Sequence, residues 1–266
     1  MNGFINLYKP SGMSSAYALN LIKKRFKGCK LGHMGTLDPL ASGVLPVAIG
    51  KSTRLFDFLL DKIKVYKAVF TFSYETDTLD RGGVIIKDGG RIPFLEDIKN
   101  VLPTLIGEVM QIPPIFSAKN VNGKRSYELA RMGVNVELQP KKVVINNITI
   151  VKELEKGSFE FLIYCKGGTY IRSICRDIAY KLNTYATMTY LERLNSGVFS
   201  KENSFTLEEI IDNFNEEKML IKPDSVLSLD KIYLNKKQTL DVLNGRLFKL
   251  DKTDGFYSVY GVSGLK

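Results

Sequence analysis

The sequence has no tryptophan, one histidine, three cysteines and no long apolar run. Cys29, Cys165 and Cys175 are widely spaced and form no C-x-x-C pair, which argues against a disulfide framework and against a zinc ribbon. Because His33 is the only histidine, a His-rich metal site is excluded, and a Ser–His–Asp triad could form only through that residue. No apolar stretch approaches the roughly 18 residues of a membrane-spanning helix, and no secretory leader opens the sequence. We therefore expect a cytoplasmic protein with reduced thiols, no metal and no membrane association.

Positive charge is in excess. Thirty-eight Lys and Arg residues against 28 Asp and Glu residues give a net charge of +10 over 266 residues. A surplus of this kind indicates a polyanionic partner, and without a membrane anchor that partner is predicted to be nucleic acid. Thirteen tyrosines and 15 phenylalanines supply aromatic surface that can stack on bases.

Strand and helix patterns alternate without a steady βαβ order. Strands are predicted at 3–8, 63–73, 143–151 and 158–165, and helices at 94–106 and from Ile171 to Leu182. This mixture predicts an α+β fold with a mixed, mainly antiparallel sheet and flanking helices. Because the pattern breaks at Lys222-Pro223-Asp224, we predict two domains, 1–222 and a short basic unit at 223–266.

The segment from Gly32 to Pro46 carries three glycines and two prolines within 15 residues. That composition does not suit a helix interior or a central strand, so a structured loop is predicted. Pro39 favours an extended conformation at Asp38 and thereby fixes the direction of its carboxylate. A carboxylate displayed in this way can act as a nucleophile or general base, or it can form an Asx-turn with its own backbone.

Two further groups of charged residues stand out. Arg172 is predicted in the first turn of a helix, beside Ile171. A cation there interacts unfavourably with the helix dipole unless a carboxylate compensates its charge. It is therefore a candidate partner for a catalytic aspartate, with an ordinary structural salt bridge as the alternative. Glu75, Asp77 and Asp80 precede two glycines, and this pattern indicates turn acids rather than a metal cluster.

A basic segment follows the prolines at 113–114. Residues 119–142 contain six Lys or Arg residues against two Glu residues. Basic groups interleaved with Tyr127 suit contact with an RNA backbone, and a solvated surface loop is the alternative.

These motifs together resemble the TruB family of tRNA pseudouridine synthases, in family order over about residues 3–200. The matching motifs are Lys9-Pro10-x-Gly12-x-Ser14-Ser15, Gly32–Pro46, Val65-Tyr66-Lys67, Gln111–Ala118 with Gly123 and Tyr127, Gly168–Ser173, and Tyr190-Leu191-Glu192-Arg193-Leu194. The resemblance implies the pseudouridine synthase fold with a small PUA-like unit at 223–266. It also implies an enzyme that isomerises uridine 55 in the T-arm loop of tRNA without a cofactor. The short C-terminal unit favours the stand-alone bacterial type, and a monomer is expected because no coiled-coil heptad or apolar dimer stripe is seen in the sequence.

The resemblance assigns roles to five residues of the site. Asp38 is the implied catalytic carboxylate, and Arg172 is its partner, which keeps it ionised. Tyr66 is implied to stack on the target uracil and assist proton removal from C5, and Leu191 to wall the pocket. His33 is implied to help reshape the T loop while the base flips out. Taken without the family, core packing is the preferred explanation for both Tyr66 and Leu191.

Five more residues are predicted to contact the RNA, namely Lys9, Lys64, Lys119, Arg125 and Tyr127. Asp38 can attack ribose C1′, attack base C6 or deprotonate C2′, and the sequence leaves these routes open. Two other functions compete with the synthase. One is a tRNA-binding or folding module in which catalysis is secondary, and the other is a nucleoside hydrolase, which would release free uracil.

The sequence departs from the family pattern at three positions. Met34, Thr187 and Glu192 stand where Thr, His and Arg are usual. The last two departures put local RNA contacts in doubt. None of the three removes a residue to which the resemblance assigns a catalytic role.

Overall fold

The computed structural model describes residues 1–60, 62–117, 120–121, 123–126, 132, 138–227, 229–247, 250 and 252–262. The chain divides into two units, Met1–Leu220 and Ile221–Lys266. The division comes two residues before the boundary expected from the sequence. Within the part of the chain that the structure describes, no helix is long and apolar enough to cross a bilayer.

Strands and helices alternate irregularly along the described chain. The strands are β1 (Gly3–Lys9), β2 (Leu31–His33), β3 (Ser42–Ile49), β4 (Lys64–Phe72), β5 (Glu75–Thr76), β6 (Ile85–Lys87), β7 (Gly107–Gln111), β8 (Asn120–Val121), β9 (Lys124–Arg125), β10 (Lys141–Glu155), β11 (Ser158–Cys165), β12 (Ala186–Ser196), β13 (Phe199–Ser200), β14 (Lys231–Tyr233) and β15 (Ser258–Tyr260). The α-helices are α1 (Ser15–Lys23), α2 (Asp57–Leu60), α3 (Leu95–Val101), α4 (Ile171–Lys181), α5 (Leu207–Asp212), α6 (Glu216–Met219), α7 (Pro223–Leu227) and α8 (Lys236–Leu243). Short 3₁₀ turns occupy Lys24–Phe26, Gly50–Leu55, Leu102–Leu105 and Lys201–Asn203.

One large sheet organises the first unit. Its strands follow the order β1-β3-β12-β4-β11-β10-β7, with β2 paired to β3 and β13 paired to β12. Every pair in this sheet is antiparallel except β12 with β3, which run parallel. This arrangement confirms the predicted α+β class with a mixed, mainly antiparallel sheet.

Sequence periodicity explains the core. Alternate residues of β4 are buried, and its inner face presents Phe70 and Phe72 to the core. Helix α4 contributes Ile174 and Ile178 to the same core, as its helical spacing predicts. The helix predicted at 94–106 is divided into α3 and a 3₁₀ turn, because Pro103 lacks the N–H that would continue the α-helical ladder.

One local prediction is wrong. The segment Gly32–Pro46 was expected to contain no central strand, yet β3 begins at Ser42 and lies between β1 and β12. Pro46 is tolerated because its carbonyl accepts from the N–H of Met34 (2.9 Å), away from β1. In a strand, the N and C=O of one residue point to the same side, so the missing N–H of Pro46 costs no bond to β1.

The second unit is small. It contains α7, β14, α8 and β15, and β14 pairs with β15 in parallel. The Tyr260 hydroxyl donates to the Asp224 carboxylate at 2.6 Å, and the Tyr233 ring stacks on that of Tyr260 with centroids 5.4 Å apart. Its likeness to a PUA domain stays a prediction.

Candidate active site

Asp38 lies in the connection of residues 34–41 between β2 and β3, and the turn before α1 holds this connection in place. The Ser15 hydroxyl accepts from the N–H of Leu37 (2.9 Å) and donates to its carbonyl (3.0 Å). The N–H of Gly12 donates to the Pro39 carbonyl (2.8 Å). The backbone is thus fixed on both sides of Asp38, which gives the Lys9–Ser15 motif a structural purpose.

The structure brings Arg172 to Asp38 through two contacts. Nη2 donates to Oδ1 at 3.0 Å, and Nε lies 2.9 Å from Oδ2. The Arg172 side chain is 5% exposed and that of Asp38 is 30% exposed, so the carboxylate keeps an open side. Nη1 of Arg172 also donates to the Thr78 carbonyl (3.0 Å) and lies 3.6 Å from Asp80 Oδ2. Two contacts of this kind fix the direction of the carboxylate.

The electrostatic balance at Asp38 differs from the one the sequence suggested. Burial raises the pKa of Asp38 and outweighs the lowering by Arg172, while the nearby Asp80 raises this pKa further. Lys9 lowers it by a smaller amount. Arg172 therefore acts on Asp38 in the expected direction, but burial and Asp80 oppose it and leave the pKa of Asp38 above its ordinary value. A carboxylate with a raised pKa is the stronger base.

A cavity of about 360 Å³ opens beside this carboxylate. Tyr66 and Leu191 line it together with Asp38 and Arg172, and they are 7% and 5% exposed. Burial raises the pKa of the Tyr66 hydroxyl, and the adjacent Arg193 lowers it. The cavity therefore combines an apolar wall, an aromatic ring and one directed carboxylate, which is the make-up of a small-ligand site.

Two lysines predicted to contact RNA are buried. Lys9 is 0% exposed, and its ammonium donates to the carbonyls of Pro10 and Met13, each at 2.8 Å. Burial lowers the pKa of Lys9 to about 8, with Asp38 acting against the shift. In this structure Lys9 supports the turn rather than facing a phosphate. Lys64 is 6% exposed, lines the cavity and donates to the Lys62 carbonyl at 3.1 Å.

The other predicted RNA contacts are less closely defined. His33 ends β2 and is half-buried, and its Nδ1 has no hydrogen-bond partner within the described residues. Burial lowers the pKa of His33, and Arg193 lowers it further, so the neutral imidazole is favoured. Arg125 lies in β9, across from β8. Lys119 and Tyr127 lie outside the described residues.

Two of the three acids near Gly82 belong to turns, whereas the prediction of a turn acid is wrong for Glu75, which lies in β5 and pairs with Lys87 at 2.8 Å. Asp80 Oδ1 accepts from the N–H of Gly82 (2.9 Å), and Asp77 Oδ1 accepts from the N–H of Val84 (2.8 Å). Over the described ranges, no group of three or more His, Cys, Asp or Glu residues could hold a metal ion. Sequence reasoning nevertheless missed that Asp80 also faces Arg172, since nothing in the local pattern marks that contact.

The three departures from the family pattern are all buried. Met34 and Thr187 are 4% and 0% exposed. The Glu192 side chain is 2% exposed and accepts from the Tyr8 hydroxyl (2.8 Å) and the Lys201 ammonium (2.6 Å). Thr187 and Glu192 therefore expose almost no surface of their own, and their effect on RNA contacts stays a prediction.

Two family models match adjacent parts of the chain and together cover residues 23–234. The TruB family pseudouridylate synthase N-terminal domain matches residues 23–171, and the tRNA pseudouridylate synthase B C-terminal domain matches residues 172–234. The boundary between them falls inside α4, so the two models do not correspond to the two structural units.

Curated relatives and solved structures agree with this match. A tRNA pseudouridine synthase B of Clostridium perfringens (strain 13 / Type A) is 36% identical over 273 aligned positions, covering the whole chain and 93% of the relative. One of Clostridium tetani (strain Massachusetts / E88) is 43% identical over 229 positions, covering 86% of the chain and 78% of the relative. An H/ACA RNP structure bound to a substrate RNA containing 2′-deoxyuridine aligns over 98% of this chain and 74% of that one, with a TM-score of 0.71 and 25% identity.

The class of protein follows from these matches together with the fold, because a family model covers more than half of the chain. The chain is a pseudouridylate synthase. More particularly, it belongs to the TruB family.

Proposed function

We propose that this enzyme isomerises uridine 55 in the T-arm loop of tRNA to pseudouridine, with Asp38 as the catalytic carboxylate. One observation carries the proposal. Arg172 directs the Asp38 carboxylate through two contacts, and Asp38 borders a cavity that Tyr66 and Leu191 also line. The names of the curated relatives support tRNA as the substrate.

The reaction exchanges one glycosidic bond for another. The bond from uracil N1 to ribose C1′ breaks, the base turns, and C5 bonds to C1′. The C5 hydrogen then leaves as a proton and N1 gains one, so the product is an isomer. Asp38 can attack C1′ or C6, or remove the C2′ proton, and its raised pKa favours each of these roles.

The walls of the cavity serve the detached base. Leu191 and the Tyr66 ring hold uracil during its rotation and exclude water, which would divert the reaction to hydrolysis. The Tyr66 hydroxyl, which is buried beside the cavity, then assists loss of the C5 proton. For the base to enter, it must leave the T-loop stack, at a cost of a few kcal/mol.

Phosphate contacts offset that cost. Exposed cations occur along the end of α1 and the following turn, at Lys23, Lys24, Arg25 and Lys27, and the net charge of the chain is +10. Such a surface suits the phosphates of a folded RNA. We include in the proposal that the unit at 221–266 adds RNA contacts and that the enzyme acts as a monomer.

The test is tritium release from a T-arm hairpin labelled with [5-³H]uridine only at position 55, with wild type and Asp38→Asn compared. Release by the wild type, and its loss in Asp38→Asn with RNA binding retained, supports the proposal. Mass cannot report the reaction, whereas forming the C5 bond must expel the C5 hydrogen.

Other outcomes overturn parts of the proposal. Binding without release by the wild type indicates a tRNA-binding or folding module. Free uracil among the products indicates a hydrolase. Equal release from a hairpin labelled at another uridine contradicts the assignment to position 55.

A further inference from the structure

Arg193 holds both ends of the segment that carries Asp38. It is among the largest fully buried side chains, with 1% of its surface exposed. Nε donates to the Val44 carbonyl at 2.6 Å, and Nη2 donates to the Gly35 carbonyl at 3.0 Å. These two carbonyls precede and follow Asp38 in the chain, so a single guanidinium closes the loop between them.

The main chain of Arg193 docks the same loop. Strand β12 pairs with β3 in parallel at only two positions, Glu192 with Ser42 and Arg193 with Gly43. Gly43 has a φ of +111°, and a Cβ there would collide with the backbone of Arg193. The absence of a side chain at Gly43 therefore allows this close approach.

Arg193 also contacts the second reacting side chain. In the ladder of β12 with β4, Arg193 is the partner of Tyr66, and its guanidinium interacts with the Tyr66 hydroxyl. Both residues line the cavity beside Asp38. Among the described residues, no carboxylate lies within ion-pair distance of Arg193. Burying a cation without such a partner costs desolvation free energy, so ion pairing does not explain why Arg193 is buried here. Its hydrogen bonds to the loop carbonyls do.

We propose that Arg193 is a positioning residue that fixes the Asp38 loop to Tyr66, so that the carboxylate and the phenol keep one separation across the cavity. This inference rests on the proposed function, since it concerns the same site. The planar guanidinium donates to two loop carbonyls in different directions and lies beside Tyr66, whereas a lysine ammonium is a compact point charge on a flexible stem. Arg193 acts through Asp38 and Tyr66 rather than on the substrate.

The experiment measures tritium release in single turnover, with enzyme in excess over the [5-³H]uridine T-arm hairpin, and RNA affinity by filter binding. Wild type is compared with Arg193→Lys and Arg193→Gln. A displacement near 1 Å can lower the rate about a hundredfold, so we expect the single-turnover rate of both variants to fall by about that factor. We expect their RNA affinity to stay within about threefold of wild type. Arg193→Lys keeps the charge, so its slow rate would show that the fork geometry is required.

Glu192→Gln is the matched control. Glu192 is the next residue of β12 and is buried to the same degree, but alternation along the strand points its side chain away from the cavity. Its removal disturbs packing without touching the Asp38 loop carbonyls, so we expect its single-turnover rate to stay within about threefold of wild type. Thermal unfolding of every variant shows whether the rates were measured on folded protein.

The pH profile separates positioning from a purely structural role. Burial raises the pKa of Tyr66, and Arg193 lowers it. If the pH–rate profile has an alkaline inflection that is absent in Tyr66→Phe, that inflection reports Tyr66. It should move to higher pH in Arg193→Gln and stay in place in Glu192→Gln. Arg193→Lys with a rate within threefold of wild type overturns the inference while leaving the proposed function intact. An inactive wild type would instead refute the proposed function.

Discussion

Ser15→Ala tests whether the first residue of α1 supports the loop that carries Asp38. The Ser15 side chain is 1% exposed, and its hydroxyl bonds both the N–H and the carbonyl of Leu37, the residue before Asp38. Alanine leaves both backbone groups buried and without this partner. Each such group costs about 1–3 kcal/mol, and since the site can relax in part, we expect a loss of about 2–4 kcal/mol.

Ser14→Ala is the matched control. Ser14 is exposed and caps α1 by accepting from the N–H of Tyr17 at 3.1 Å. Losing an N-cap of this kind costs about 1 kcal/mol, and it leaves the Asp38 loop untouched. The two variants remove the same hydroxyl from adjacent residues, so their difference isolates the buried contact.

The assay is urea unfolding at constant pH, combined with the single-turnover rate of tritium release. We expect Ser15→Ala to lose more stability than Ser14→Ala and also to lose rate, because the backbone beside Asp38 is freed. Equal stability of the two variants would refute the claim that the Ser15 hydroxyl satisfies the loop. A full rate in a destabilised Ser15→Ala would show that the contact stabilises the fold without directing Asp38.

Three further predictions follow from burial, backbone geometry and charge. Burial lowers the pKa of Lys9 from 10.5 to about 8, so between these two pH values the unfolded chain binds more protons than the folded one. The free energy of unfolding of the wild type, measured relative to Lys9→Met by chemical unfolding, should therefore rise from pH 8 to 10.5. A difference that does not change with pH would contradict the burial of the Lys9 charge. Gly43→Ala should lower the free energy of unfolding by more than about 3 kcal/mol, because Gly43 has a φ of +111° and a Cβ there would collide with Arg193. Gly28→Ala should lower it by about 1 kcal/mol, because Gly28 has a φ of +78° but open space around it. Similar losses in the two variants would contradict the close approach of Arg193 to Gly43. RNA affinity should fall steeply as salt rises because the net charge is +10, and a flat dependence in filter binding would refute phosphate contact.

Helices and strands that depend on local hydrophobic periodicity could be predicted from the sequence. The alternation along β4 and the spacing of isoleucines in α4 report which face of each element is buried, and both elements occur where they were predicted. The capping pair Thr206 and Glu209 begins α5 for the same reason, because its hydrogen bonds are made within one turn. Signals of this kind depend only on neighbours in the chain.

Contacts between distant segments could not be predicted. Pro46 argued against a central strand, and only the positions of β1 and β2 show that its missing N–H faces away from β1. Asp80 was predicted to be a turn acid, and it does accept a hydrogen bond within its turn. Its approach to Arg172, however, depends on how two separate segments pack. Arg193 carried no local signal beyond its place in a motif, although Gly35 and Gly43 mark the backbone that it approaches.

The strand order explains how such distant residues form one site. Strands β3, β12 and β4 are consecutive in the sheet, so the end of the Asp38 loop at Gly43, the wall residue Leu191 with Arg193, and the ring of Tyr66 lie side by side. Helix α4 then needs only to present its first turn to bring Arg172 against Asp38. The short parallel contact of β12 with β3 therefore helps to build the candidate site, because it joins the segment that carries the Asp38 carboxylate to the strand that lines the cavity.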